Sequence, residues 1–288
     1  MRDLNYQLKQ LGKNNRDGSY ATQSTRAFLL SQMANQLHEL GFRGMSVRSL
    51  KQKHVQALVK SWLDQDLSAG TIKNRMTALR WWAQKVNKHS VVANNNDCYG
   101  IVRRQYVRTE STAKDINADQ LARIKDSYVR LSLRLQREFG LRREESIKFI
   151  VNYANRGDHL LLKPSWTKGG KERRIPIRTD VQRKLLQEVS AFAGGGSLIP
   201  PDKNFIQQLR IYVRQVMNAG LSRMHGLRHQ YAQRRYEELA GFACPVAGGP
   251  ARQALTFAQR QSDQEARRVI SQELGHGREQ ITTVYLGR

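Results

Sequence analysis

Leu274-Gly275-His276-Gly277-Arg278-Glu279-Gln280-Ile281-Thr282-Thr283-Val284-Tyr285-Leu286-Gly287-Arg288 is the stretch on which the reading of this chain turns. A His stands nine positions before a Tyr, with a Thr-Thr pair between them. An aromatic residue so near the end of a sequence ordinarily packs a frayed tail against the body. Three upstream stretches argue for a larger role: Gly140-Leu141-Arg142-Arg143-Glu144-Glu145, Thr167-Lys168-Gly169-Gly170-Lys171 and His225-Gly226-Leu227-Arg228-His229. With His276 they supply arginines, a lysine and histidines, a set suited to gripping a phosphate. Tyr285 would be its nucleophile.

The bulk chemistry points the same way. Among 288 residues, 49 Lys and Arg face 24 Asp and Glu, for a formal net charge of +25. The basic residues run along the whole chain. That favours a partner with a long polyanionic surface, nucleic acid first. An anionic membrane would call for a basic amphipathic helix with a Trp/Leu face, and no segment requires one. The two cysteines, Cys98 and Cys244, have no metal-ligand or disulfide-framework spacing. The N-terminus lacks the apolar run of a signal peptide, and no stretch reaches the ~18 apolar residues needed to span a bilayer. The expectation is a cytoplasmic, nucleoid-associated protein, with no membrane partner, no metal and no cofactor.

Along the chain, residues 1–20 read as polar, basic and turn-rich. Helical spacing follows from Thr25 to Leu40, from Ser49 to Leu63 and from Thr71 to Val86. On the third of these, Ile72, Met76, Leu79, Trp82 and Val86 make one apolar stripe. Lys73, Arg80 and Lys85 lie off it, where cations are ordinarily solvated; the charge excess assigns them to DNA. Residues 1–100 thus form a small helical domain, and 101–113, with Arg103, Arg104 and Arg108, a basic linker. A second domain spans 114–288. Asn117 caps a helix to about Gln136. Phe149–Asn152, His159–Leu162 and Arg174–Ile177 read as three short antiparallel strands, with a hairpin tip at Lys168-Gly169-Gly170-Lys171. Helices follow from Thr179 or Asp180 to about Ala193, Phe205 to Asn218, Leu227 to Ala240 and Ser262 to Leu274. The fold class is mainly α, with a small sheet in the second domain.

The ordered set Arg142, Lys168, His225, Arg228, His276, Tyr285 resembles the tyrosine recombinase, or phage-type integrase, family. Gly140-Leu141-Arg142-x-x-Glu145 resembles its first arginine box and Lys168 with Arg174-Ile175-Pro176-Ile177 its lysine hairpin and following strand. His225-x-x-Arg228-His229 resembles the second box, and Leu274-Gly275-His276 with Tyr285 the third. Each motif alone is weak; their conjunction in order is specific. The resemblance covers about 116–288. The helical domain before it resembles the family's SAM-like core-binding domain, and the N-terminal stretches are most similar to integrases of integrative and conjugative elements.

The chemistry can be argued beside the resemblance. Phosphoryl transfer rests on positioning and on stabilising charge over the phosphate oxygens, and Arg binds two oxygens at once and stays charged. Arg142 and Arg228 fill that role, with Arg143 the alternative to Arg142. A free Tyr titrates near 10, so Tyr285 needs the cations and His225 beside it. Lys168, with Lys171 as its rival, would protonate the leaving 5′-oxygen. His276 would bond the scissile phosphate. Glu145 and His229 would orient their neighbours. Lys171 and Arg173 join Lys73, Arg80, Lys85, Arg103 and Arg104 as DNA contacts.

The resemblance implies a covalent 3′-phosphotyrosine, no ATP, and integration or excision of a mobile element. It also implies duplex DNA as partner, a homo-tetramer in the synaptic complex, a monomer or dimer when free, and an accessory directionality protein. The alternatives are a type IB topoisomerase-like enzyme and a non-catalytic DNA-binding or accessory protein. Two departures stand out. His225 and His276 are 51 positions apart, about twice what the resemblance implies, which marks 241–264 as an insertion. Only three residues follow Tyr285. The expectation is that 241–264 or 1–20 supplies the contact between subunits.

Overall fold

The computed structural model describes residues 3–105, 107 and 110–288, so Arg108 lies outside them. The chain divides into two compact units, Met1–Gln105 and Tyr106–Arg288. Both are mostly helical, and no helix among the described residues is long and apolar enough to cross a membrane.

The first unit contains α1 (Asp3–Asn14), α2 (Tyr20–Glu39), α3 (Gln52–Asp64) and α4 (Ala69–Lys85). α1 occupies a stretch expected to be turn-rich. Its signal is Leu4, Leu8 and Leu11 at helical spacing; Leu4 and Leu8 are buried, each worth about 1.5–3 kcal/mol. Trp62 and Trp82 anchor the core and leave no indole N–H unmet: Trp62 donates to Gln36 Oε1 at 3.0 Å and Trp82 to the Val47 carbonyl at 2.8 Å.

Two of the cations assigned to DNA are engaged within this unit. Arg80 is not free to face phosphates: its Nε and Nη2 donate to the Ala93 carbonyl and Nη2 also to Asn96 Oδ1, pinning the loop after α4. Lys85 pairs with Asp17 at 2.9 Å, and the same carboxylate accepts from the Trp81 indole. Lys73 is partly exposed; Arg103 and Arg104 are exposed, Arg104 lying against Gly70.

The second unit begins with α5 (Ala118–Ala122) and α6 (Ser127–Phe139). These replace the single helix expected up to Gln136, because Asp126 recaps the chain by accepting from the Val129 N–H. α6 is apolar on two sides. Leu131, Leu135 and Phe139 enter one core cluster, Val129 and Leu133 another. Its C-terminal Gly140 has φ +60°, and a Cβ there would come within 2.6 Å of the Tyr231 ring. Then come α7 (Arg143–Ile147) and α8 (Val151–Ala154).

Among the described residues the sheet has two strands, not three. β1 (His159–Leu162) pairs antiparallel with β2 (Arg173–Pro176), His159 opposite Pro176. The expected strand at Phe149–Asn152 is irregular over Phe149 and Ile150 and enters α8 at Val151; so short an apolar run does not distinguish strand from helix by period. α9 (Asp180–Ala193), α10 (Phe205–Asn218), α11 (Gly226–Ala240), α12 (Phe257–Glu273) and α13 (Thr283–Leu286) complete the unit. Thr179 caps α9 by accepting from the Gln182 N–H. α12 starts five residues before the expected Ser262, at a capping box in which Thr256 accepts from Gln259 N–H and Gln259 Oε1 from Thr256 N–H. The last part of the expected insertion, 257–264, is therefore helix.

Candidate active site

Helix α12 ends in the geometry that builds the pocket. Gly275 N–H donates to the Gln272 carbonyl and His276 N–H to the Ser271 carbonyl, with Gly275 at φ +63°. This Schellman arrangement explains the Leu-Gly-His order. A Cβ at Gly275 would lie 2.8 Å from Arg173 Cδ, so the residue must be both left-handed and small.

The Leu274 carbonyl is left at the negative end of the α12 dipole. Three guanidiniums converge on it: Arg142 Nη2 at 3.4 Å, Arg173 Nη1 at 3.1 Å, and Arg228 Nη2. Arg228 also donates through Nη1 to the Gly140 carbonyl. That one side chain, 1% exposed, ties the ends of α6 and α12 together from α11.

Glu145 supplies the counter-charge. Its fully buried carboxylate pairs with Arg142 at 2.7 Å and Arg173 at 2.7 Å and accepts from the Arg142 N–H. Burial opposes its ionisation, yet the charges of Arg173, Arg228 and Arg142 hold it down at about 2. Arg173 was expected at DNA. It is instead buried in this ion network, because alternation along β2 turns Arg173 and Ile175 inward and Arg174 outward.

Tyr285 lies among three histidines. Its hydroxyl and His225 Nε2 share a hydrogen bond of 3.1 Å. His229 stacks on its ring at 4.3 Å, His276 lies 5.1 Å away, and the Arg228 guanidinium is 5.9 Å from the ring centre. Burial, then the Arg228 and Arg142 charges, push His225 down to about 4; the same causes, with Arg173, push His276 to about 3. Both imidazoles are neutral at pH 7. His276 Nδ1 meets the buried Thr282 hydroxyl at 3.0 Å, and its Nε2 is buried without a partner, as is Arg228 Nε. With Thr282 donating, His276 Nε2–H and Arg228 Nε–H are donors suited to an oxyanion.

The pocket adjoins a cleft of about 550 Å³ lined by Arg142, Lys168, Lys171, Arg174, Gly275 and His276, among others. Five of the six residues in the ordered set thus share one cluster: Arg142, His225, Arg228, His276 and Tyr285. Lys168 is exposed and joins only through the cleft wall it shares with Arg142 and His276.

The short segment after Tyr285 is held by groups that the motifs did not indicate. Gln233 Nε2 donates to the Tyr285 carbonyl at 3.0 Å, and Arg267 Nη1 to the Gly287 carbonyl at 2.9 Å. Gly287 packs on the Pro245–Val246 turn so closely that a Cβ would meet Val246 N at 2.8 Å. Residues 241–256, with Cys244 buried, therefore receive the segment that follows the Tyr within the same chain.

The two histidines and Glu145 have a common stability signature. All three bind protons less readily folded than unfolded, so the unfolded state holds more protons as pH falls, and stability drops. The melting temperature is expected to decline from about pH 6.5, where an unfolded His begins to protonate, towards pH 4. A thermal-melt series should show this, and His276→Asn should flatten its upper part. An unchanged slope in that variant would remove His276 from the account.

The sequence matches the phage integrase N-terminal family model over residues 1–92 and the integrase family model over residues 102–234. The chain belongs to the tyrosine recombinase family. No curated protein matches it. Among solved structures it is similar to a lambda integrase dimer bound to a COC′ core site (16% identity, TM-score 0.65, covering 99% of this chain and 78% of that one). It is similar also to the XerH site-specific recombinase bound to difH substrate (16%, 0.56, 98% and 80%). A third is the Tn1549 transposon integrase in complex with circular intermediate DNA (13%, 0.56, 100% and 96%). At these identities the likeness is one of fold.

Proposed function

We propose that this protein is a site-specific DNA recombinase that cleaves and rejoins duplex DNA through Tyr285, serving integration or excision of a mobile element, and that it is cytoplasmic and nucleoid-associated. The observation that carries the reading is the Tyr285 hydroxyl held 3.1 Å from His225 Nε2 inside a cluster of guanidiniums with one carboxylate. Arg142, Arg228 and His276 bind the non-bridging oxygens of the scissile phosphate. An anionic phosphate beside His225 raises its basicity, so the neutral imidazole takes the phenolic proton as the Tyr285 oxygen attacks. The bond from phosphorus to the 5′-oxygen breaks, and Lys168 protonates that oxygen. The products are a 3′-phosphotyrosine diester and a free 5′-hydroxyl. The reverse sequence on a new strand rejoins the DNA without ATP.

Partly exposed Lys73 and exposed Arg103, Arg104 and Lys171 are the remaining candidates for DNA backbone contact, and binding should weaken steeply with salt. Relatives of this fold include a lambda integrase tetramer bound to a Holliday junction, which supports assembly of several copies on DNA; an accessory directionality protein would act on that assembly.

The test uses a pool of duplexes with random flanks and a 5′-bridging phosphorothiolate at the centre, whose sulfur leaving group resists rejoining. Wild-type protein should give an SDS-resistant adduct mapped to Tyr285 by mass spectrometry, and Tyr285→Phe should bind the pool equally well and give none. A folded wild-type protein that binds duplex but yields no adduct would instead be a DNA-binding or accessory protein. Adduct formation with plasmid relaxation but no strand exchange would favour the topoisomerase-like reading.

A further inference from the structure

Two adjacent residues of the connector at the start of the second unit reach two residues one turn apart on α11. Ser111 Oγ donates to Gln233 Oε1 at 3.0 Å, and Thr112 Oγ1 and His229 Nδ1 share a hydrogen bond of 3.3 Å. Each α11 residue touches Tyr285 as well. Gln233 Nε2 donates to the Tyr285 carbonyl, and the His229 ring stacks on the phenol. The Gln233 amide is used at both ends, its carbonyl by the connector and its NH₂ by the nucleophile segment.

The connector is seated firmly. Lys114 N–H donates to the Gly226 carbonyl at 3.0 Å, and Lys114 Nζ to the Ser222 carbonyl at 3.0 Å. A Cβ at Gly226 would meet the Thr112 carbonyl at 2.8 Å, so the connector lies directly on the turn that carries His225. Ser111 and Thr112 were expected to belong to a linker over 101–113; they pack on α11 beside Tyr285. On the other side, α13 has only four residues. So short a helix has no stability of its own, and the place of Tyr285 is set by what grips it.

We propose that Gln233 and His229 are positioning residues through which the connector, by Ser111 and Thr112, sets the place of Tyr285. Displacing the connector then shifts the nucleophile. The inference rests on the reading of Tyr285 as nucleophile, and the test separates the two.

Full-length protein carrying 3-fluorotyrosine at position 285 reports placement by its ¹⁹F resonance, independently of activity. Single-turnover adduct formation on the phosphorothiolate pool reports function. Ser111→Ala and Gln233→Met should each shift the resonance and slow adduct formation about tenfold, the scale of one hydrogen bond. The double variant should also be about tenfold slow, not a hundredfold, because both substitutions break one relay. Ser111→Thr, which keeps the hydroxyl, should restore the rate. Duplex affinity and melting temperature should stay near wild type for Ser111→Ala, so that a merely structural loss is distinguished. A Ser111→Ala protein with wild-type resonance and rate, or a double variant whose losses multiply, overturns the relay. If the wild type forms no adduct while Ser111→Ala still moves the resonance, the relay stands and the nucleophile assignment falls.

Discussion

Arg142→Lys and Arg228→Lys are both expected to lower single-turnover cleavage by roughly a hundredfold to a thousandfold, the cost of removing one well-aimed donor from a developing charge. Lysine keeps the positive charge in each case but loses the planar fork that binds two acceptors at once. The two variants should part company in stability. Arg142 is partly exposed, bonds the Leu274 carbonyl at 3.4 Å and pairs with Glu145, a charge pairing that a lysine retains, so its replacement should lower the melting temperature less than that of Arg228. Arg228 is buried and satisfies the Gly140 and Leu274 carbonyls together. A lysine Nζ reaches one of them and strands the other, at a cost of about 1–3 kcal/mol. Duplex binding should survive in both, because other cations carry it. Cleavage by Arg142→Lys at near wild-type rate would remove that arginine from the phosphate site.

The candidate cluster was legible in sequence because its residues carry distinctive chemistry in a distinctive order: Arg142, His225, Arg228, His276 and Tyr285 meet in one place. The support around them was not legible, since it depends on tertiary geometry. Arg173 looked like one more basic residue beside Lys171, and only the alternation with Ile175 and Ile177 hints that it faces inward. Arg80 looked free to face DNA from α4, yet it closes a loop 13 residues on. Gln233 and Arg267 act on backbone carbonyls of the last residues, and a carbonyl has no sequence signature. Boundaries failed where a cap outweighed the apolar period: Asp126 split one expected helix, and Thr256 with Gln259 started α12 early. α1 was missed because its net polarity hid three leucines at helical spacing. The expected third strand at Phe149–Asn152 failed for a different reason, since so short an apolar run, Phe149-Ile150-Val151, fits a short helix as well as a strand.

Glu145→Gln should produce the largest loss of stability of any single change at the site. The carboxylate is the sole acidic partner of Arg142 and Arg173 among their described ion pairs. Removing its charge leaves the buried Arg173 guanidinium uncompensated. Breaking a buried pair in this way costs about 3–5 kcal/mol, which for a domain of this size is a fall of roughly 6–20 °C in melting temperature. Adding Arg173→Met should recover part of the loss, because the stranded charge is then gone, and losses that simply add would contradict the pairing. The pH dependence gives a second check. Unfolded, Glu145 protonates near its ordinary value of 4.5; folded, it stays ionised to about 2. The wild type therefore loses the contribution of this carboxylate as pH falls from 4.5 towards 2, whereas the Gln variant has no such contribution to lose. The gap between the two melting temperatures should be widest above pH 4.5 and narrow below it. A gap that stays constant down to pH 3 would mean that the carboxylate charge is not what holds the three arginines together.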